Sequence, residues 1–91
     1  MAVVYVTIKI MPNSPEADLS LIEKECRDKI EKYGAKVHSI NKVPIAFGLV
    51  SLEIVLMVDE KRGSTEELEA ELSRISGVES VQVVDVRRGI G

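Results

Sequence analysis

Two segments of the sequence alternate between apolar and polar side chains, which is typical of β-strands with one buried face. They cover residues 3–11 and 49–58, and the second has an apolar residue at every even position from Val50 to Val58. A helix is predicted after each strand, over residues 16–33 and between residues 64 and 77, because apolar residues recur there with a 3.6-residue period.

Two weaker strands, at residues 35–43 and 78–86, complete the pattern. The predicted order is strand, helix, strand, strand, helix, strand, which is two right-handed crossover units in succession. Side by side, these units form an α+β, ferredoxin-like fold, in which both helices cover one face of a four-stranded antiparallel sheet. The two most apolar strands, the first and third, are expected at its centre and the second at an edge. A change of parity between Val83 and Val84 predicts either a β-bulge or a twist in the last strand.

Capping residues predict where the helices begin and end. Ser14 is predicted to cap the first helix, with Asp18 as a competing cap, and Gly34 is predicted to end it. Ser64 begins a capping box at the start of the second helix, and Gly77 is expected to end that helix.

The composition indicates one small globular domain over residues 1–91, with 45% apolar and 30% charged residues. Twelve basic against fifteen acidic residues give a net charge of −3, which argues against a protein that binds nucleic-acid phosphates. The single cysteine, Cys26, excludes an internal disulfide and suits the cytoplasm. Neither a membrane span nor a signal peptide is expected, because no long apolar run and no basic leading segment is present.

The residue types needed for covalent catalysis do not occur together. His38 is the only histidine, and Cys26 lies in the apolar stripe of the first helix, where a thiol is unreactive. Residues 11–15 contain two prolines and no arginine, so they lack the anion cradle of an acylphosphatase-like enzyme. The acidic pair at residues 59–60 is followed by a lysine and an arginine, which favours a solvated, ion-paired loop over a metal site. We therefore expect no catalytic residue, no metal and no cofactor.

The sheet face away from the helices is predicted to be a poor platform for RNA. Four-stranded sheets that recognise RNA stack its bases on several aromatic side chains. The central residues predicted on this face are Tyr5, Thr7, Lys9, Ser51, Glu53 and Val55. One tyrosine beside a glutamate does not form such a platform, so no direct contact with nucleic acid is expected.

The loop before the third strand and the end of the last strand are the candidate functional sites. The only phenylalanine, Phe47, stands at the end of a predicted hairpin, where an exposed apolar group commonly marks a protein contact. The alternative is that Phe47 folds back into the core. Arg87 and Arg88 serve either solubility or a contact with a phosphate or carboxylate. The residues predicted to bind a partner are Ile45, Ala46, Phe47, Gly48, Arg87 and Arg88.

Residues 44–49 (PIAFGL), 58–63 (VDEKRG) and 81–86 (VQVVDV) resemble the exchange domain of the translation elongation factor 1-beta family, especially its short archaeal form. The resemblance extends over nearly the whole chain and implies the ferredoxin-like fold. It also implies a protein that promotes the release of GDP from elongation factor 1-alpha, the GTPase that brings aminoacyl-tRNA to the ribosome, so that GTP can replace it. The partner would be the GDP-bound or nucleotide-free GTPase, and no covalent bond would be made or broken.

The same resemblance implies roles for the two candidate sites. The loop that contains Phe47 would present its aromatic ring to a pocket on the GTPase, and the end of the chain would approach the magnesium and phosphate site. In the eukaryotic factors a lysine one place from the C-terminus makes the latter contact. Gly91 stands at the matching place here, so Arg87 and Arg88 are the cations that could substitute for it.

Two other functions of this fold agree less well with the sequence. A small-molecule-binding regulatory domain usually has a glycine in the first strand–helix loop, where this chain has two prolines. A small enzyme would need the nucleophile, the anion cradle or the metal ligands that the sequence lacks.

Overall fold

The computed structural model describes residues 3–62 and 65–89. Its elements appear in the predicted order. They are β1 (Val3–Pro12), α1 (Leu19–Tyr33), β2 (Lys36–Pro44), β3 (Val50–Asp59), a short 3-10 turn (Glu60–Arg62), α2 (Glu66–Ser73) and β4 (Val78–Arg88). The strand ends differ from the prediction by one or two residues, and the largest extension is that of β4 through both arginines.

The four strands form one antiparallel sheet in the order β2-β3-β1-β4. The two most apolar strands, β1 and β3, are central, and β2 and β4 are the edges, as predicted. A central strand buries one face along most of its length, whereas the charged and polar residues of β2 are tolerated at an edge. The ferredoxin-like fold is therefore confirmed.

Both helices pack on the same face of this sheet. Alternate residues of β1 and β3 are buried on that face, and the inward residues of both helices join them in one core cluster. The predicted inward positions of α2, Leu68 and Leu72, and the following Ile75 are all buried. The core residues on the strands are Val6, Ile8, Ile10, Leu52, Ile54, Leu56 and Val58.

The predicted bulge in β4 is present. Thr7 pairs with Asp85 and Ile8 pairs with Val83, so Val84 has no partner on β1. One extra residue in a strand reverses which side chains face the core. Val83 packs against the core, and Val84 is 47% exposed.

The first helix begins later than predicted, and its cap is Asp18. The Asp18 carboxylate accepts a hydrogen bond from the backbone N–H of Leu21 at 3.1 Å. The hydroxyl of Ser14 instead accepts from the N–H of Glu16, within a turn whose first amide, that of Asn13, donates to the carbonyl of Gly77. Residues 14–17 thus form a separate turn, in which the N–H of Ala17 donates to the carbonyl of Ser14 at 3.2 Å, and the prediction of Ser14 as the cap was wrong. The helix ends at Gly34 as predicted, with φ of 103°.

The second helix is shorter than predicted. Thr65 is its N-cap residue and makes no side-chain bond to the helix backbone, since its hydroxyl donates to the Glu69 carboxylate at 3.0 Å. The predicted capping residue Ser64 lies outside the described residues. The helix ends at Ser73, before Gly77, so the predicted C-terminal end was also wrong. Gly77, with φ of 94°, instead turns the chain into β4.

Candidate partner-binding site

The loop between β2 and β3 is a tight hairpin turn. The N–H of Leu49 donates to the carbonyl of Ala46 at 3.1 Å, and the N–H of Ile45 donates to the carbonyl of Leu49 at 2.8 Å. Between them, Phe47 has φ of 58° and Gly48 has φ of 77°. Two successive positive φ angles are the pattern of a type I′ turn, whose twist matches that of the flanking strands. The turn thus holds residues 45–49 in one set shape.

The side chain of Phe47 projects into solvent and is 94% exposed. The alternative that Phe47 folds back into the core is therefore wrong. Among the described residues other than glycine, Phe47 alone has a positive φ, a conformation that costs roughly 1–2 kcal/mol for a residue with a Cβ. Strained backbone is concentrated at functional sites, so the strain and the exposure together make Phe47 the candidate contact of this loop. Ile45, which is 44% exposed, enlarges the apolar tip.

Two features that the sequence did not indicate support this hairpin. Ser51 was predicted on the sheet face away from the helices, which we call the open face. It is instead fully buried, and its hydroxyl donates to the carbonyl of Val43 at 3.3 Å. This bond lies at the base of the hairpin, where Val43 and Ser51 are directly paired. On the other side, a Cβ at Gly48 would lie 3.8 Å from the Cβ of Pro15, so the loop before α1 flanks the turn. Both contacts depend on the tertiary structure and leave no local sequence pattern.

Arg87 and Arg88 occupy the last two positions of β4 and point to opposite faces of the sheet. Arg87 pairs with Tyr5 on the open face, while Arg88 pairs with Val4, which packs against the core. Both side chains are well exposed, at 80% and 70%. Each has a carboxylate of the same chain as its partner: Arg87 lies 2.9 Å from Asp85, and Arg88 pairs with Glu60. Exposed pairs of this kind contribute only about 0–1 kcal/mol, so either arginine can exchange its partner at little cost.

The two parts of the candidate site lie at opposite ends of the sheet. Ile10 pairs with Leu52 next to the Phe47 hairpin, whereas Val4 pairs with Arg88 at the other end of β1. A strand rises about 3.3 Å per residue, so these two ends are roughly 20 Å apart, and the hairpin extends further. The structure therefore does not bring Phe47 and the arginines together, and one partner would have to contact both ends.

The residues considered for catalysis have the surroundings of ordinary structural groups. Cys26 is fully buried, and its burial, together with the nearby Glu25 and Glu23, raises the pKa of its thiol to about 12. A thiol with this pKa is protonated at neutral pH and is a poor nucleophile. His38 is exposed on β2 and contacts the Tyr5 ring edge-on, with the ring centres 5.5 Å apart.

The acidic pair at residues 59–60 is part of an ion-paired turn, as predicted. The Asp59 carboxylate accepts a hydrogen bond from the N–H of Lys61 at 2.9 Å, and Glu60 pairs with Arg88. Arg62 lies over the ring of Tyr33 at 4.2 Å. Within residues 3–62 and 65–89, no three His, Cys, Asp or Glu side chains are grouped so that they could hold a metal ion. None of the helices in this part of the chain is both long enough and apolar enough to cross a membrane.

The fold and the exposed hairpin define a small ferredoxin-like domain with a candidate contact site, and comparison with known proteins identifies its family. The sequence model of the EF-1 guanine nucleotide exchange domain matches residues 5–88, which include the Phe47 hairpin and both arginines. The chain therefore belongs to the EF-1 guanine nucleotide exchange domain family, and the resemblance noted in the sequence is confirmed.

Curated relatives named elongation factor 1-beta match the chain over almost their whole length. The protein of Methanothermobacter thermautotrophicus is 46% identical over 97% of this chain and 98% of its own. The protein of Methanosarcina barkeri is 44% identical over 97% of this chain and 99% of its own. The protein of Methanocaldococcus jannaschii is 37% identical over 94% of this chain and 97% of its own. All three organisms are archaea, in agreement with the short form that the sequence resembles, and these names support a role in EF-1 nucleotide exchange.

Two solved structures share the fold at low sequence identity. The ACT domain from the GTP pyrophosphokinase of Chlorobium tepidum has a TM-score of 0.61 at 15% identity, over 88% of this chain and 96% of that one. The C-terminal domain of the MgtC protein from Mycobacterium tuberculosis has a TM-score of 0.63 at 19% identity, over 96% of this chain and 87% of that one. At these identities the likeness shows the fold alone, because the ferredoxin-like fold serves many unrelated functions.

Proposed function

We propose that this protein promotes the exchange of GDP for GTP on elongation factor 1-alpha in the cytoplasm during translation elongation. The observation that carries the proposal is the exposed Phe47 in its strained turn, in a chain that belongs to an exchange-domain family. The partner is the GDP-bound or nucleotide-free GTPase. The action needs no cofactor, no covalent step, no membrane and no direct contact with nucleic acid.

The proposed mechanism is a difference in affinity. A factor that binds the nucleotide-free GTPase better than the GDP-bound form weakens GDP binding by the same ratio. A ratio of 100 corresponds to about 2.7 kcal/mol, which a few well-placed contacts can supply. Contacts that are equally strong in both forms hold the complex together but release nothing.

The Phe47 hairpin suits the role of the anchor. A phenylalanine ring buries about 150–250 Å² when a pocket receives it, and nearly all of that area is still exposed in the free protein. The set shape of the turn means that little conformational entropy is lost when Phe47 docks. The anchor also includes the other residues of the hairpin that are predicted to bind the partner, Ile45, Ala46 and Gly48.

Arg87 and Arg88 suit the role at the nucleotide. A guanidinium keeps its charge at any physiological pH and offers a planar set of donors that fits a phosphate or a carboxylate. Their partners in the free protein, Asp85 and Glu60, are exposed surface carboxylates and can be replaced. An acidic group of the GTPase near its magnesium would be the new partner, because a contact with GDP itself would strengthen GDP binding instead of weakening it.

The test is the release of a fluorescent GDP analogue from the cognate elongation factor 1-alpha, followed against the concentration of this protein. We expect wild-type protein to accelerate release to a plateau and Phe47→Ala to require much more protein for the same rate. Val84→Ala is the matched control, because Val84 is also an exposed apolar residue but lies in the β4 bulge, away from the hairpin. No acceleration by the wild-type protein would refute the proposal.

A further inference from the structure

Gly89, the first residue after β4, packs directly against the ring of Tyr5. A Cβ at Gly89 would lie 2.4 Å from Cε2 and 3.0 Å from Cδ2 of Tyr5, and 3.2 Å from the carbonyl oxygen of Val3. Non-bonded carbon atoms prefer a separation of about 3.5–4.0 Å, so only a glycine fits at this position. The N–H of Gly89 also donates to the carbonyl of Val3 at 2.7 Å.

The Tyr5 ring is supported on its other side. Tyr5 lies on the open face of the central strand β1, between Arg87 on β4 and Met57 on β3. Its ring contacts the ring of His38 at an interplanar angle of 73°, in the edge-to-face arrangement that aromatic rings favour. A ring that His38 contacts on one side and Gly89 on the other has little freedom to turn away.

This contact lies at the end of a strand that is held from one side only. β4 is an edge strand, so its end bonds to β1 alone. The ion pairs of Arg87 and Arg88 are exposed and add little rigidity. Beyond the ladder pairs of Arg87 with Tyr5 and of Arg88 with Val4, the Val3–Gly89 hydrogen bond and the Tyr5 ring are therefore the contacts that hold the end of β4.

We propose that Tyr5 is a positioning residue for nucleotide release, which acts through Gly89 by holding the end of β4, with Arg87 and Arg88, in its productive place. This inference rests on the proposed function in exchange. It assigns a role to a residue of the first strand that lies at the opposite end of the sheet from the Phe47 anchor. A misplacement of about 1 Å in a positioning contact can lower a rate by up to roughly 100-fold, so a packing contact of this kind can have a large effect.

The first experiment tests the contact itself by NMR, without the GTPase. We expect nuclear Overhauser effects between the α-protons of Gly89 and the Tyr5 ring in the wild type. They should persist in Tyr5→Phe, which keeps the ring and removes only the hydroxyl. Their absence from the folded wild-type protein would overturn the inference, whatever the protein does to GDP.

The second experiment measures the plateau rate of GDP release at saturating protein. We expect Tyr5→Ala and Gly89→Ala each to lower the plateau by roughly 10-fold or more, with Tyr5→Phe close to the wild type. The half-saturating concentration should stay unchanged, because the Phe47 anchor is intact. The Tyr5→Ala/Gly89→Ala double variant should be no slower than the slower single variant, since both changes break one contact.

Thr7→Ala is the matched control, because Thr7 lies two residues further along the same face of β1 and pairs with Asp85. Thermal unfolding of each variant ensures that rates are measured on folded protein. A wild type that fails to release GDP would refute the proposed function. If the wild type releases GDP, two results would refute the positioning role alone. One is a plateau rate of GDP release that is unchanged in Tyr5→Ala and Gly89→Ala, and the other is a plateau rate that Thr7→Ala lowers by as much as they do.

Discussion

Removal of the Phe47 ring should weaken partner binding strongly and leave the fold almost unchanged. The side chain is 94% exposed, so only about 12 Å² of a typical 200 Å² is buried within the free protein. At about 25 cal/mol per Å², this burial contributes roughly 0.3 kcal/mol to folding. The exposed remainder could contribute up to about 4–5 kcal/mol when a partner covers it. Anchors of this type commonly lose about 2–4 kcal/mol of binding when truncated, which is roughly 30- to 900-fold in the dissociation constant.

The backbone of Phe47 provides a second, sharper variant. At its φ of 58° a side chain costs roughly 1–2 kcal/mol, which a glycine does not incur. Glycine in turn loses more conformational freedom on folding, by roughly 0.5–1 kcal/mol. Phe47→Gly should therefore fold as stably as the wild type, or up to about 1 kcal/mol more stably, while it binds the GTPase as weakly as Phe47→Ala.

Two measurements on the same preparations decide whether Phe47 contributes to partner binding or to folding. Urea unfolding gives the free energy of unfolding of each variant, and the titration of GDP release gives the half-saturating concentration. We expect that concentration to rise in Phe47→Ala and Phe47→Gly and the free energy of unfolding to change little. A loss of about 3–5 kcal/mol of stability in Phe47→Ala would show that the ring is part of the core. A half-saturating concentration that is the same in both variants as in the wild type would show that Phe47 is not the anchor.

Three further predictions follow from other parts of the chain. Arg88→Ala should keep the fold and lower the plateau rate of GDP release, and an unchanged plateau would leave Arg88 only a role in solubility. Gly34→Ala should destabilise the protein by about 1–2 kcal/mol in urea unfolding, because Gly34 has φ of 103°. Burial raises the pKa of the Cys26 thiol to about 12, so above about pH 8.5 the unfolded chain loses this proton first. The free energy of unfolding should thus fall between about pH 8.5 and 12 by more in the wild type than in Cys26→Ala.

The sheet could be predicted from the sequence because its signal is local and direct. In β1 and β3 each second residue faces the core, so the alternation of apolar and polar residues in the sequence matches the alternation of buried and more exposed side chains in the sheet. The bulge at Val84 was predictable for the same reason, since an extra residue shifts the parity of every valine that follows.

The helix ends could not be decided in the same way, because several residues carry the same local signal. Ser14 and Asp18 are both good caps, and their residue types alone do not show that residues 14–17 form a turn of their own and that the helix begins only after Asp18. Gly77 is a good helix stop, yet the helix ends earlier, at Ser73.

The candidate site was only partly predictable. Hydrophobicity favours burial of Phe47, whereas its position in a hairpin favours exposure, and only the backbone of the turn decides between them. Nothing in the sequence links Tyr5 to Gly89, because their contact forms only when β1 and β4 pair.

The separation of the two ends bears on how exchange would work. Phe47 and Arg88 lie at opposite ends of the sheet, so they cannot act on the same atoms of a partner. A hydrophobic anchor that binds a pocket distant from the nucleotide would hold the GDP-bound and nucleotide-free forms about equally and would not by itself favour release. The preference for the nucleotide-free form would then come from the other end, where Arg87 and Arg88 carry positive charge that can compete with the magnesium for its acidic ligands. The hairpin would determine how much protein is needed, and the end of β4 would determine how fast GDP leaves once the protein is bound.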